Sequence, residues 1–311
     1  MPYQLSRINE AIRSDSAGFA AECDAAFNAK VIAAAERIAA NRDRSHIILL
    51  SGPSGSGKTT TAMKIEERLD TTGVETHTIS MDNYFKTTDP ETAPRNRDGD
   101  IDYESPFFLD VDLLNRHFAM LDRGETIHVP KYEFARQMRS SILSQPMTLG
   151  KDEMVIFEGI HALNDIIVGK NPAAFKLYIA AGSDLVDDAG NVIFPRSWLR
   201  LCRRLVRDYQ FRGSDAAFTL KLWANVRRGE KLYISPYKEN ADLMFDSSLA
   251  FEYAVLKPMV VPLLEAIPAG KYPFVDEMLR NFEKIEPMDS SCVAENSLCR
   301  EFIGGSSYAS H

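Results

Sequence analysis

The chain has 311 residues, 45% of them hydrophobic and 26% charged, with a formal net charge of −8. That length admits one large α/β domain or two small ones, and the acidic total argues against a nucleic-acid partner, which needs a basic face. No apolar run reaches the roughly 20 residues that span a bilayer, and the start MPYQLSRINEAIRSDS lacks the basic-then-apolar order of a signal peptide, so the expectation is a cytoplasmic protein without a membrane partner.

In chain order, Phe19, Cys23, Phe27, Val31 and Ala35 recur every four residues and predict a helix over 16–41. That helix would form an N-terminal extension, 1–45. HIILLS, from His46, is a short apolar run of strand type. After a glycine turn, TTAMKIEERL carries Ala62, Ile65 and Leu69 at helical spacing. VETHTISMD alternates apolar and polar residues and reads as a second strand, and DVDLLNRHFAMLDRG as a helix with an acidic start and a glycine stop. MVIFEG and FKLYIAAG are buried-strand runs, PRSWLRLCRRLVRDYQFRG is an arginine-rich helix, ADLMFDSS a last short strand, and AVLKPMVVPLLEAI a proline-interrupted helix. Cys23, Cys202, Cys292 and Cys299 form no C-x-x-C pair, so neither a zinc site nor a disulfide framework is expected.

Strands alternating with helices imply a mostly parallel sheet covered on both faces. Ligands bind such sheets at the carboxyl ends of the strands. The glycine loop, SMDNYF and FEG all fall there.

Gly52, Gly57, Lys58 and Thr59 fit G-x-x-x-x-G-K-[ST]. The glycines let successive N–H groups point into one concavity, and the helix that follows adds its positive dipole end; Ser54, Gly55, Ser56 and Thr60 join the candidate nucleotide-binding residues. Lys58 would reach the terminal phosphates of ATP or GTP, and Thr59 would offer its hydroxyl to Mg²⁺. A switch, a motor ATPase and a small-molecule kinase share this loop. Asp82, right after the second strand, is either a turn cap or a base that accepts an alcohol proton. Arg203 and Arg207 share a helix face with Arg204 beside them, which fits a solvated basic face or a lid over phosphates ending at Gly213.

Taken together, GPSGSGKTT, SMDNYF, DYESP, VPKYEF, FEGIHALN and RRLVRDYQFRG occur in an order that resembles the uridine kinase and phosphoribulokinase family of P-loop kinases, over about residues 46–250. VRRGEKLYISPYKENADLMFDSSLAFEYAVLK and NSLCREFIGGSSY resemble a bacterial nucleoside-kinase-like branch. The resemblance implies an α/β P-loop NTPase fold with a helical arginine-rich lid. The kinase domain would cover 46–286, the lid about 196–230, and a C-terminal tail 287–311. It implies Asp82 as general base, with Lys58 and Arg207 acting in transfer. Arg203, Arg204 and Arg212 would lie over the nucleotide, and Thr59 and Glu158 at the metal. Tyr84, Phe85, Glu104, Tyr132, Phe134, Gln137 and Arg139 would line the acceptor side. Tyr132 and Phe134 share a face of an alternating segment, which by itself fits core packing equally well.

The implied reaction is transfer of the ATP γ-phosphate, with Mg²⁺, to a hydroxyl of a uridine- or cytidine-like nucleoside. A sugar, polyol or vitamin-like alcohol is the alternative acceptor, and a regulator without an acceptor a third reading. A homo-oligomer is compatible with the resemblance. Departures concentrate on the acceptor side: Gln137 stands where the family places a His, and Ser214 where an Arg is expected. The Gln expected after the lid has apolar TLKLW in its region.

Overall fold

The protein is described from a computed structural model covering residues 2–133, 136–142, 144 and 146–308. Phe134 lies outside the described residues. Five strands form one sheet: β1 (Ile47–Ser51), β2 (Thr76–Ser80), β3 (Met154–Glu158), β4 (Phe175–Ala180) and β5 (Leu243–Asp246). Their order is β5-β4-β1-β3-β2 and every pairing is parallel. The apolar runs of β1 and β3 follow from this position, since all residues of both strands are buried and neither face meets water. Alternate residues of β1 serve opposite cores: Ile48 and Leu50 pack with Ile65 and Leu69, whereas Ile47 and Leu49 pack with Phe118 and Phe157.

Seven helices of ten or more residues cover the described sheet. They are α1 (Leu5–Ala39), α2 (Lys58–Thr71), α3 (Val111–Asp122), α4 (Arg196–Phe211), α5 (Ala216–Gly229), α6 (Glu252–Glu265) and α7 (Pro273–Phe282). The first starts eleven residues before the predicted helix. It is broken at Asp15 (φ −159°, ψ 90°), whose carboxylate accepts the Gly18 N–H at 2.9 Å and caps the second half. Phe27, Val31 and Ile38 of α1 join the core beside α2, so the N-terminal segment is built into the body of the protein. The C-terminal residues return to it as well: Leu298, Cys299 and Phe302 are fully buried.

Residues 199–208 of α4 are buried without a break. Over this stretch the arginine-rich helix packs into the body of the protein. Among the described residues no helix is long and apolar enough to cross a membrane.

Candidate active site

The loop between β1 and α2 sits at the centre of the carboxyl edge of the sheet. Glycine is required at three of its positions. A Cβ on Gly52 would come within 2.0 Å of the Ile179 carbonyl, and Gly55 and Gly57 have φ of 76° and 78°. The loop carbonyls are tied outward: Arg203 Nη1 donates to Gly55 O at 3.0 Å and the Ser247 hydroxyl to Ser56 O at 2.6 Å. With those two carbonyls tied, the loop can present backbone N–H groups to the concavity, except that of Ser56, which donates to Pro53 O at 3.1 Å. Among the described residues, the buried hydroxyls of Ser56 and Thr60 have no partner. Open donors, a helix N-terminus and a lysine make a donor set that fits a polyphosphate with its Mg²⁺.

Lys58 curls over the loop, its Nζ 3.4 Å from Pro53 O. Burial lowers its pKa, opposed by the carboxylates of Glu158, Asp82 and Glu301. Asp82 lies in the short turn Met81–Tyr84 after β2, and Glu158 ends β3. Both carboxyls are pushed above the usual range by loss of water, with Lys58 acting against the rise in each. The structure thus brings Lys58, Asp82 and Glu158 to one point from three adjacent elements. Thr59, the second residue of α2, is half-buried beside them.

The four predicted arginines separate into distinct positions. Arg203 is fully buried, with Nε and Nη2 donating to Glu252 at 2.8 and 2.7 Å. It also donates to the carbonyls of Gly55 and Ser247. It braces the loop from behind, its Nε and both Nη atoms engaged by Glu252 and by the carbonyls of Gly55 and Ser247, which differs from its expected place over the phosphates. Arg204 donates to the Ser54 hydroxyl, and burial brings its pKa down to about 10. Asp208, which the sequence reading missed, pairs with Arg204, Arg207 and Arg212. Three guanidiniums around one carboxylate leave an excess of positive charge beside the loop.

Next to this cluster is a cavity of about 440 Å³. Phe85, Tyr103, Phe108, Tyr132 and Phe218 supply its aromatic walls, and Glu104, Gln137, Asn225, Arg204 and Arg212 its polar groups. Glu104 is pushed up to about 7 by burial, eased by Arg204 and reinforced by Asp102. Gly229 permits this placement, because a Cβ there would fall 2.3 Å from Glu104 Cβ. Gln137 is held at φ 51°, a left-handed conformation unusual for a residue with a side chain, and its Oε1 accepts from Tyr103 Oη at 3.2 Å.

Two expected acceptor residues lie elsewhere. Tyr84 is fully buried, its hydroxyl 2.8 Å from His117 Nδ1, because the turn directs it into the core and leaves Phe85 for the cavity. Arg139 donates to Asp110 and to the Tyr84 carbonyl at 2.9 and 3.0 Å, so it anchors the turn from outside the cavity lining.

Sequence reasoning also missed Asp102, buried and bound by Arg228 at 2.9 Å and Tyr233 at 2.9 Å. His161 was missed too. Burial pushes it down to about 4, which keeps it neutral. The α5 residues Phe218 and Asn225 carried only an amphipathic signal, which does not distinguish a cavity wall from a core face.

A family model described as Phosphoribulokinase / Uridine kinase family matches residues 47–250. The chain is 29% identical over 202 residues to a uridine kinase of Macrococcus caseolyticus (strain JCSC5402), covering 65% of this chain and 87% of the relative. It is 29% identical over 199 residues to a uridine kinase of Staphylococcus aureus (strain JH9), covering 64% and 86%. Among solved structures, a D-glycerate 3-kinase from Cryptococcus neoformans var. grubii aligns with 82% of this chain and 78% of its own, at 15% identity and a TM-score of 0.31.

Proposed function

Given that the chain belongs to the phosphoribulokinase/uridine kinase family of phosphotransferases, we propose that it transfers the γ-phosphate of ATP to the primary hydroxyl of a pyrimidine nucleoside. The observation that carries the nucleoside reading is the cavity beside the phosphate loop. It joins aromatic walls suited to a flat base with a carboxyl group, Glu104, on the side of Lys58 and Asp82. The names of the uridine kinase relatives support the same acceptor.

Phosphoryl transfer demands positioning and charge compensation more than covalent chemistry. The loop N–H groups and Lys58 hold the donor phosphates. Thr59 and Glu158 would hold Mg²⁺, which would supply positive charge to the transferring group. Asp82 accepts the proton of the attacking hydroxyl. Glu104 receives hydrogen bonds from sugar hydroxyls, and Gln137 and Asn225 offer amides to the base edge. Arg204, Arg207 and Arg212 stabilise charge on the phosphoryl oxygens.

A transfer screen with ATP and Mg²⁺ against nucleosides, sugars and polyols tests this reading. Phosphorylation of uridine or cytidine is expected. Phosphorylation of a non-nucleoside alone would refute the acceptor while keeping the kinase. ATP hydrolysis indifferent to every acceptor would point instead to a regulator.

A further inference from the structure

Thr60 is the third residue of α2, so its N–H lacks a partner inside the helix and faces the phosphate loop. It donates at 3.3 Å to Oε2 of Glu301, from the C-terminal end of the chain. Glu301 is buried, and its charge acts on Lys58, Glu158 and Arg212, the groups assembled for the nucleotide. The carboxylate therefore sits inside the cradle as an anion at a helix N-terminus, the arrangement a phosphate oxygen would adopt there.

The rest of the segment is seated too firmly for a loose tail. Leu298 is fully buried and packs on Gly57, where a Cβ would meet Leu298 Cδ1 at 2.6 Å. The Phe302 ring lies 4.9 Å from the Arg203 guanidinium, beneath the same loop.

We propose that residues 297–303 are a tethered occupant of the phosphate cradle, the Glu301 carboxylate holding an N–H that a phosphate oxygen of the nucleotide takes over on binding. The inference rests on the nucleotide-donor reading above. A single N–H cannot serve both acceptors well, and a triphosphate brought beside a buried carboxylate is repelled by it. Nucleotide binding then requires Glu301 to withdraw, and the apparent affinity is reduced by the fraction of molecules in which the carboxylate is in place. The segment sets the nucleotide threshold of the enzyme from a position far along the chain.

The test uses the full chain and two probes, ATP with Mg²⁺ and inorganic tripolyphosphate. Glu301→Gln keeps the shape and removes the charge, and calorimetry should show it binding each probe roughly three- to tenfold more tightly than the wild type. Equal or weaker binding would overturn the proposal. Hydrogen exchange on the wild-type protein provides a check that needs no variant. Tripolyphosphate should speed exchange across 297–303, whereas added protection there would make the segment a closing wall and refute it as a competitor. Failure of both proteins to bind either probe would overturn the cradle reading and this proposal together, while equal binding would remove this proposal alone.

Discussion

The base role proposed for Asp82 requires an ionised carboxylate in a place that disfavours ionisation. Its carboxyl is raised by loss of water and lowered by Lys58 and Arg212. The plot of kcat/KM against pH should therefore show an acidic limb centred above the ordinary carboxylate value of about 4. Asp82→Asn should lower kcat by about 10²- to 10⁴-fold and leave ATP affinity nearly unchanged, measured by steady-state kinetics beside a binding titration. A parallel loss of binding would contradict the base role. Gly229→Ala probes the proposed acceptor side, since the added methyl must displace Glu104. The expected outcome is a raised KM for the acceptor with the KM for ATP little changed. Nothing in RRGEK marks that glycine as special, because its constraint comes from Glu104, more than a hundred residues earlier.

At the scale of elements, α4 shows how a basic sequence is read differently in a helix and in a core. Its arginines suggest a solvated or lid-like face when seen alone. In the structure Arg203 is a strut between the phosphate loop and α6, paired with Glu252 where neither side chain is exposed. Removing one member of such a pair leaves a buried charge alone. Arg203→Met should cost about 3–5 kcal/mol in urea unfolding. Arg203→Met with Glu252→Gln should cost less than the single change. Little stability change in the single variant would contradict the strut. The aromatic pair Tyr84 and Phe85 teaches a similar lesson: the short turn after β2 sends one ring to the core and the other to the cavity, and their adjacency in sequence does not say which.

For the whole molecule, the site gathers acidic groups whose proton affinity is raised by folding. Glu104 reaches about 7, against 4.5 in the unfolded chain, and Glu158 moves in the same direction. Between these limits the folded form keeps protons that the unfolded form has released, so this contribution is full below about pH 4.5 and falls as pH rises toward 7. Asp246 and Glu230 are shifted the other way, and their contribution is lost on acidification through the lower carboxylate range. Thermal unfolding should therefore show a midpoint that declines from pH 5 to 7.5, with the slope reduced in Glu104→Gln. A midpoint that rises steadily across that range, with or without Glu104, would contradict this account.

What the sequence determined by itself was local and periodic. The five sheet strands in their chain order, the helices α2, α3, α4 and α6, the glycine loop, and the strand-end positions of Asp82 and Glu158 follow from short-range pattern, turn chemistry and alternation, whereas α5 and α7 were not read from it. The spacing G-x-x-x-x-G-K-T points to a phosphate-binding backbone because an apolar strand run precedes it and a helical pattern follows it. Tertiary structure decided what depends on residues distant in the chain. It put Arg203 behind the loop, turned Tyr84 inward, gathered three arginines on Asp208, and set Glu301 against Thr60. Burial, ion pairing and competition for one N–H are properties of neighbours in space, and the linear chain does not name those neighbours.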